Sequence, residues 1–449
     1  MNIILLSGGS GKRLWPLSND IRSKQFIKIF KTNDGYESMV QRVYKQIKHA
    51  DPNGTITIAT SRSQIPSIHN QIGEDVGLSV EPCRRDTFPA IALATAYLHD
   101  KKGLSSNDAV VVCPVDPYVD DSYFECLKSV YYATVNGEKN LVLMGIQPTY
   151  PSEKYGYIKP ATNDGQNYFF TFTEKPTEEK AQEYIDQGAL WNGGVFGYKL
   201  SYVLGKAKEL LGISDYDGLL LNYERFKSIS FDYAVVEQEQ SIEVLRYSGQ
   251  WKDLGSWSTL TDAMSESIFG DAMMDETCEN VHVINELDVP ILAMGATNMI
   301  ISASPDGILV ADKDRSDQIK QYVEAHSREA MYAEKSWGSF RVIDAEQDSL
   351  TIKVQIKPGD YMNYHSHEHR DEVWVVVKGT GKAIVDGEEM NIGPGDVISM
   401  KAGKKHTVIA ETELKLVEVQ IGKDITVHDK KKYQCELLDG LPLVQQKER

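Results

Sequence analysis

Four short apolar runs in the first third of the chain, residues 2–6, 56–60, 109–112 and 141–145, are separated by longer stretches of helical character such as 38–49 and 89–98. Continuous apolar runs of four or five residues suit strands buried on both faces, and helices alternating with them supply the cover such strands need. The pattern predicts an α/β sheet with helices on both sides. At 449 residues the chain exceeds one ordinary core, so two or three domains are expected. The first is placed at residues 1–265, just past Trp257 and the helix-like stretch 260–266.

Beyond that point the pattern changes twice. Residues 266–330 hold very short apolar runs, 281–284, 290–293 and 308–310, between polar turns, and read as a small β connector closed by a helix over 318–328. From Trp337 onward, alternation over 350–355, strand formers over 373–377 and the turn glycines Gly359, Gly379, Gly381, Gly387, Gly393 and Gly395 predict an all-β domain. Spanning 331–449, it suits a double-sheet barrel or jelly roll. The lysine run Lys430 to Lys432 reads as solvated surface.

A formal charge of −17 argues against a general nucleic-acid surface, although a few local cations with Mg2+ still permit nucleotide substrates. The five cysteines are widely spaced, with neither metal-site pairing nor a disulfide framework, which favours a reduced, cytoplasmic protein. No segment has the apolar length to span a membrane, and the N-terminus begins a strand rather than a signal peptide. Oligomeric state stays open, a homo-oligomer included.

The first run, Ile3 to Leu6, leads straight into Ser7-Gly8-Gly9-Ser10-Gly11-Lys12-Arg13-Leu14-Trp15-Pro16, and Ser23-Lys24-Gln25-Phe26 follows. Glycines after a strand bare backbone N–H groups that side chains would cover, and Arg13 and Lys24 add two fixed cations. That combination suits a nucleoside triphosphate, with a plain glycine turn as the competing reading. It is neither the G-x-G-x-x-G of dinucleotide sites nor the G-K-[ST] of a P-loop. The stretch resembles the signature of the sugar-nucleotide pyrophosphorylases, most closely the mannose-1-phosphate guanylyltransferases that carry a C-terminal cupin domain: Gly-Gly-x-Gly-x-Arg-Leu-x-Pro, then Pro-Lys. Ser23 stands where the signature has its second proline, which predicts a looser lysine loop with its charge intact.

The resemblance implies a Rossmann-like nucleotidyltransferase domain. In the reaction it implies, a sugar 1-phosphate attacks the α-phosphorus of a nucleoside triphosphate and pyrophosphate leaves, with GTP and mannose 1-phosphate giving GDP-mannose. On that basis Gly8, Gly9 and Gly11 cradle the triphosphate, Arg13 clamps its outer phosphates, Lys24 reaches the α-phosphate or the sugar phosphate, and Lys12 assists. Asp116 ends an apolar run, where open α/β sheets hold their ligands, and Mg2+ prefers such hard oxygens. Asp116 and Asp253 match the family's two metal aspartates, for one Mg2+ or a pair, with Pro117 in place of a following histidine.

The segment Glu81-Pro82-Cys83-Arg84-Arg85-Asp86-Thr87-Phe88-Pro89 resembles the base-recognition segment, assigning Glu81 and Arg85 to the nucleotide and Glu81 to a guanine edge. Arg84, Asp86 and Phe88 depart from the family's glycine, asparagine and alanine. Tyr155, Gly156, Glu174, Lys175, Asn192 and Asp232 match motifs that line the sugar-phosphate pocket, with Gly193 in place of a serine.

A separate constellation lies near the C-terminus. His365 and His367 are two apart and share one side of a strand, while Glu372 and His406 can arrive from neighbouring strands. Three imidazoles and a carboxylate suit Zn2+, Fe2+, Mn2+ or another first-row divalent ion. The spacing resembles the cupin metal motifs. In related bifunctional enzymes that domain is a mannose-6-phosphate isomerase; here His365, Glu368 and Val373 replace substrate-shell residues of the family motif, so the cupin is read as an isomerase or as a binding and assembly module. Two other readings stay open: a nucleotidyltransferase for another base or sugar 1-phosphate, and a non-catalytic metabolite-binding regulator or scaffold.

Overall fold

The computed structural model describes the chain except residues 10, 20, 164–167, 327–328, 424, 427–428, 436–437 and 439–449, and the side chains of 160–163, 168–171 and 174. Two compact units emerge: Met1–Arg13 with Ser23–Glu266, and Leu14–Arg22 with the chain from Ser267 on.

The first unit is built on a nine-stranded sheet. Its centre is parallel: Asn2–Leu6 lies between Thr55–Ser61 and Ala109–Pro114, with Gly77–Glu81 beyond Thr55–Ser61. Side chains alternate across a strand, and the first strand shows the result. Ile3 and Leu5 enter a core with Val40, Val43 and Ile47 of the helix Met39–Ala50 and with Leu127 and Val130 of Ser122–Asn136. Ile4 enters the opposite core with Ile91, Ala94 and Leu98 of Thr87–Asp100 and Val203 of Leu200–Leu211. All three strand residues are at most 1% exposed, and each such side chain contributes about 1.5 to 3 kcal/mol by leaving water. The sheet is thus covered on both faces. It departs from a purely parallel one at Leu190–Lys199, which is antiparallel to both Ala109–Pro114 and Leu141–Ile146.

Helix starts follow local chemistry. Ser38 accepts from the Gln41 backbone N–H while the Gln41 side chain accepts from the Ser38 backbone, a reciprocal cap for Met39–Ala50. Asp86 caps Thr87–Asp100 from a left-handed conformation, φ 66°, accepting from Thr87 N–H at 2.8 Å.

In the second unit, Ile268–Phe269, His282–Asn285 and Met299–Ser304 stack in parallel, and Gly307–Asp312 closes the ladder antiparallel. A second parallel pair, Ala272–Met274 with Ile291–Ala293, runs beside it. The helix Ile319–Ala325 follows a 3-10 turn, Lys313–Gln318. Thereafter the unit is all-β, a six-stranded and a five-stranded antiparallel sheet enclosing Val354, Ile356, Met362, Trp374, Val376, Val408 and Leu416. Along Arg370–Lys378 every second residue is buried, so Arg370 and Glu372 face inward beside Trp374 and Val376. Among the described residues no helix is long and apolar enough to cross a membrane.

Candidate functional site

The parallel strands of the first unit end at one edge. Leu6 lies opposite Ala59 on one side and Pro114 on the other, and Ser61 lies opposite Glu81. The loop from Gly8, Asp116 and Glu81 therefore leave the sheet together. Asp253 arrives from far along the chain through a two-stranded ribbon: Trp251–Asp253 pairs antiparallel with Pro117–Val119, setting Asp253 opposite Pro117 and next to Asp116.

Lys24 closes this group. Its Nζ lies 2.8 Å from Asp116 Oδ2 and 3.8 Å from Asp253 Oδ1, and donates to the Leu254 carbonyl at 3.3 Å. Burial works to lower its pKa, but the attraction of Asp116 and then Asp253 outweighs it, so the ammonium is held above its usual range. Asp253 is raised, first by burial and then by Asp116, against the pull of Lys24 and Arg13. Two carboxylates forced together with one ammonium form a set of hard oxygens that accommodates a divalent cation. Arg13 stands exposed on a short 3-10 turn, Lys12–Leu14, and its charge reaches both Lys24 and Asp253. Gly11, at φ +63°, backs onto Lys24: a Cβ there would stand 2.7 Å from Lys24 Cβ. Gly8 and Gly9 have open space around them, so the loop leaves room on that side.

The lysine loop is not loosened by Ser23. The fully buried Ser23 hydroxyl accepts from Gln64 Nε2 at 2.8 Å, and Gln64 Oε1 accepts from Thr60 at 2.7 Å. On the other side of Lys24, Gln25 Nε2 donates to the Ser7 hydroxyl at 3.1 Å. These buried hydrogen bonds take over the restraint that a proline ring would supply.

Glu81 is 8% exposed and accepts from the Tyr223 hydroxyl at 2.6 Å. Burial raises its carboxyl above the usual range. Arg85 donates to the carbonyls of Arg84 and Glu224, bracing the loop with its guanidinium. Asn192 lies in the antiparallel strand beside Ala109–Pro114; its Nδ2 donates to Asp232 at 2.5 Å and its Oδ1 accepts from Gly194 N–H at 3.1 Å. Gly156 begins the strand paired with Tyr168–Glu174, and Lys175 follows in a left-handed conformation, φ 47°, its N–H donating to the Tyr155 carbonyl at 3.2 Å. The Glu174 side chain lies outside the described residues. Tyr155 packs edge-on against Trp191 at 4.9 Å and Trp251 at 5.2 Å, and burial raises its hydroxyl well above the usual range. The indole N–H groups of Trp191 and Trp251 are buried without a hydrogen-bond partner.

In the second unit His365, His367, Glu372 and His406 offer ligand atoms within 4.8 Å of one another. Each imidazole donates from Nδ1 to a backbone carbonyl: His365 to Asn363 at 2.6 Å, His406 to Lys404 at 2.9 Å, and His367 to Asp429. A carbonyl only accepts, so these bonds place the proton on Nδ1 and leave Nε2 as a bare lone pair. His406 Nε2 then lies 3.0 Å from Glu372 Oε2, two acceptors face to face, and neither atom makes an aligned hydrogen bond. A cation between them relieves this, so the donor set fits a divalent metal such as Zn2+. Burial holds His365 neutral, aided by the charge of Lys430.

Two domain families match. Residues 2–268 fit the model of the nucleotidyl transferases, more than half of the chain. The chain belongs to the nucleotidyl transferase family. As such it is an enzyme that joins a nucleotide to a sugar 1-phosphate, and its second unit carries a further match over residues 320–434, to the C-terminal domain of mannose-6-phosphate isomerases. The nucleotidyl transferase is similar along most of its length to the mannose-1-phosphate guanylyltransferase RfbM of Salmonella typhimurium, 28% identical over 93% of this chain and 94% of that one. Similar too is the xanthan biosynthesis protein XanB of Xanthomonas campestris, 29% identical over 93% and 95%. The crystal structure of a mannose-1-phosphate geranyltransferase from Thermus thermophilus superposes with a TM-score of 0.61 at 27% identity, over 73% of this chain and 99% of that one.

Several residues of these sites escape a reading of the sequence. Tyr223 reaches Glu81 from 142 positions away, with no local signal. Arg370 donates to Glu372 at 3.3 Å and approaches His367 at 3.2 Å. Period two offers no sign of it, nor of the buried Glu418 and Gln420, because the opposite faces carry Val373, Val375 and Val377 and Val417, Val419 and Ile421. The lysine run is exposed, but Lys431–Lys432 pairs with His365–Ser366, and this brings the charge of Lys430 to bear on His365. The expectation of plain solvated surface is corrected to that extent.

Proposed function

We propose that this enzyme makes GDP-mannose in the cytoplasm from GTP and mannose 1-phosphate. The observation that carries the reading is the meeting of Lys24 with Asp116 and Asp253 at the strand ends beside the glycine loop, in a chain similar over its length to mannose-1-phosphate guanylyltransferases. Asp116 and Asp253 would hold Mg2+, which when bound offsets charge on the phosphoryl oxygens. Backbone N–H groups of Gly8, Gly9 and Gly11 cradle the triphosphate, Arg13 with Lys12 neutralises its outer phosphates, and Glu81 with Arg85 orients the base. Tyr155, Gly156, Glu174, Lys175, Asn192 and Asp232 hold the sugar phosphate so that its oxygen lines up with the α-phosphorus. Lys24 leaves its carboxylates for a phosphoryl oxygen as charge grows there, and pyrophosphate departs.

The buried metal set with Arg370 beside it supports a second activity in the second unit, the interconversion of fructose 6-phosphate and mannose 6-phosphate. Arg370 is placed to meet an anionic group, and a bound metal would polarise the carbonyl.

The decisive assay is pyrophosphate release with Mg2+ across GTP, CTP, UTP, ATP and dTTP against mannose, glucose and fucose 1-phosphates. Turnover confined to GTP with mannose 1-phosphate is expected. Preference for another pair refutes the specificity, and silence throughout refutes the reaction.

A further inference from the structure

Arg13 and Lys24, the two cations assigned to the phosphates, bracket a segment, Leu14–Arg22, that folds with the second unit rather than the first. Side-chain contacts hold it to the second unit, chiefly to the β connector. Arg22 makes a two-pronged ion pair with Glu286, Nη1 to Oε2 at 2.7 Å and Nη2 to Oε1 at 2.8 Å, both side chains more than four-fifths buried. The guanidinium also lies 5.4 Å from the Tyr332 ring centroid. Asn19 donates to Asp306 at 2.6 Å, while its Oδ1 accepts from the Ile21 and Arg22 N–H groups at 2.8 and 2.6 Å and shapes the turn. Asp306 is fixed in turn by Met331 N–H at 2.7 Å. Ser304, 3% exposed, donates to the Pro16 carbonyl at 2.7 Å. Trp15 lies against Gly307, where a Cβ would stand 2.4 Å from the indole.

This is more than a spacer needs. A bidentate guanidinium–carboxylate pair fixes direction as well as distance, and a partly buried one loses little to solvent. Leu14 directly follows Arg13, and Arg22 stands two residues before Lys24. Any shift of the segment along the connector is therefore handed to both cations through the covalent chain.

We propose that the connector is a positioning element for nucleotidyl transfer: Glu286, Asp306 and Ser304 grip Arg22, Asn19 and Pro16, and so set the placement of Arg13 and Lys24. Glu286 and Asp306 act through the loop and touch no substrate. The proposal rests on the assignment of Arg13 and Lys24 to the phosphates.

The test is steady-state pyrophosphate release by the full-length chain carrying Glu286→Gln, Asp306→Asn, Arg22→Gln, or the exchanged pair Arg22→Glu with Glu286→Arg. An ångström of misplacement at a reacting group costs on the order of a hundredfold, so loss of one grip should lower kcat about tenfold. The KM for nucleotide should rise by less than kcat falls, because Arg13 shifts while the backbone cradle is untouched, and melting temperature should follow that of Arg341→Gln. Arg341 pairs with the exposed Asp288 of the same unit at 3.1 Å, and its variant should keep full turnover. The exchanged pair should recover most of the lost kcat. Parental kcat in the three single variants overturns the proposal, as does a kcat loss that the exchange fails to recover. Lys24→Ala is run alongside. If it keeps its turnover, the assignment of Lys24 falls and the proposal with it; if it is inactive while the connector variants are normal, only the proposal falls.

Discussion

Replacing Lys24 by methionine separates its two duties. The ammonium lies 2.8 Å from Asp116 and 3.8 Å from Asp253. With an effective dielectric of about 20, these pairs amount to about 6 and about 4 kcal/mol of gross attraction. The carboxylate side chains are 31% and 37% exposed, and solvent cancels most of that. The net is close to one charge-assisted hydrogen bond, about 1.5 to 3 kcal/mol. A divalent ion must displace this ion pair to reach both carboxylates. Lys24→Met should therefore bind Mg2+ about 10- to 150-fold more tightly without nucleotide. Turnover should fall about 10²- to 10³-fold, the usual loss when a transition-state donor is removed. Isothermal titration with Mg2+ in a His367→Ala background, which silences the second metal set, reads the first effect; pyrophosphate release in the His367-intact enzyme reads the second. Unchanged or weaker Mg2+ binding would refute the reasoning, whatever happened to turnover.

Arg13→Ala and Asp253→Asn should each lower pyrophosphate release at least about a hundredfold while leaving the far-ultraviolet circular dichroism spectrum unchanged. His367→Ala should remove one equivalent of divalent metal by elemental analysis and leave nucleotidyl transfer with added Mg2+ intact. Burial drives the Glu418 carboxyl up to about 8 from an ordinary 4.5. The native state therefore holds an extra proton between those values, and stability of the metal-stripped protein should fall as pH rises through that window and level off above it. Glu418→Gln should flatten that slope in urea melts across pH 5 to 9. Trp374, fully buried beneath His406 at 5.3 Å, should cost about 3 to 5 kcal/mol on replacement by alanine, read as a shift in urea midpoint.

The parallel strands and the β barrel were legible because periodicity is local. The run from Ile3 to Leu6 has no polar side, and the alternation over 350–355 has one polar side, Thr351, Lys353 and Gln355, so each declares its burial within a few residues. The antiparallel Leu190–Lys199 was not legible, since direction is decided by chain connections far from the strand. Asp116 was visible as a carboxylate ending an apolar run, whereas its closeness to Asp253 depends on a three-residue ribbon that no spacing rule encodes. The role of Ser23 was read backwards from sequence: a serine is a weaker backbone restraint than proline only until a buried partner such as Gln64 is supplied.

The attachment of Leu14–Arg22 to the connector has a consequence during synthesis. Arg22 and Glu286 are 264 positions apart, so at about 5 to 20 residues per second the ribosome makes the second roughly 13 to 50 s after the first. The last strand of the sheet, Ile242–Tyr247, is made 39 positions before Glu286, so the sheet can be complete about 2 to 8 s before the stretch between Arg13 and Lys24 gains its anchor. A stretch made within the first 22 residues is thus among the last to be held in place, and competence for transfer should lag behind completion of the sheet by those few seconds.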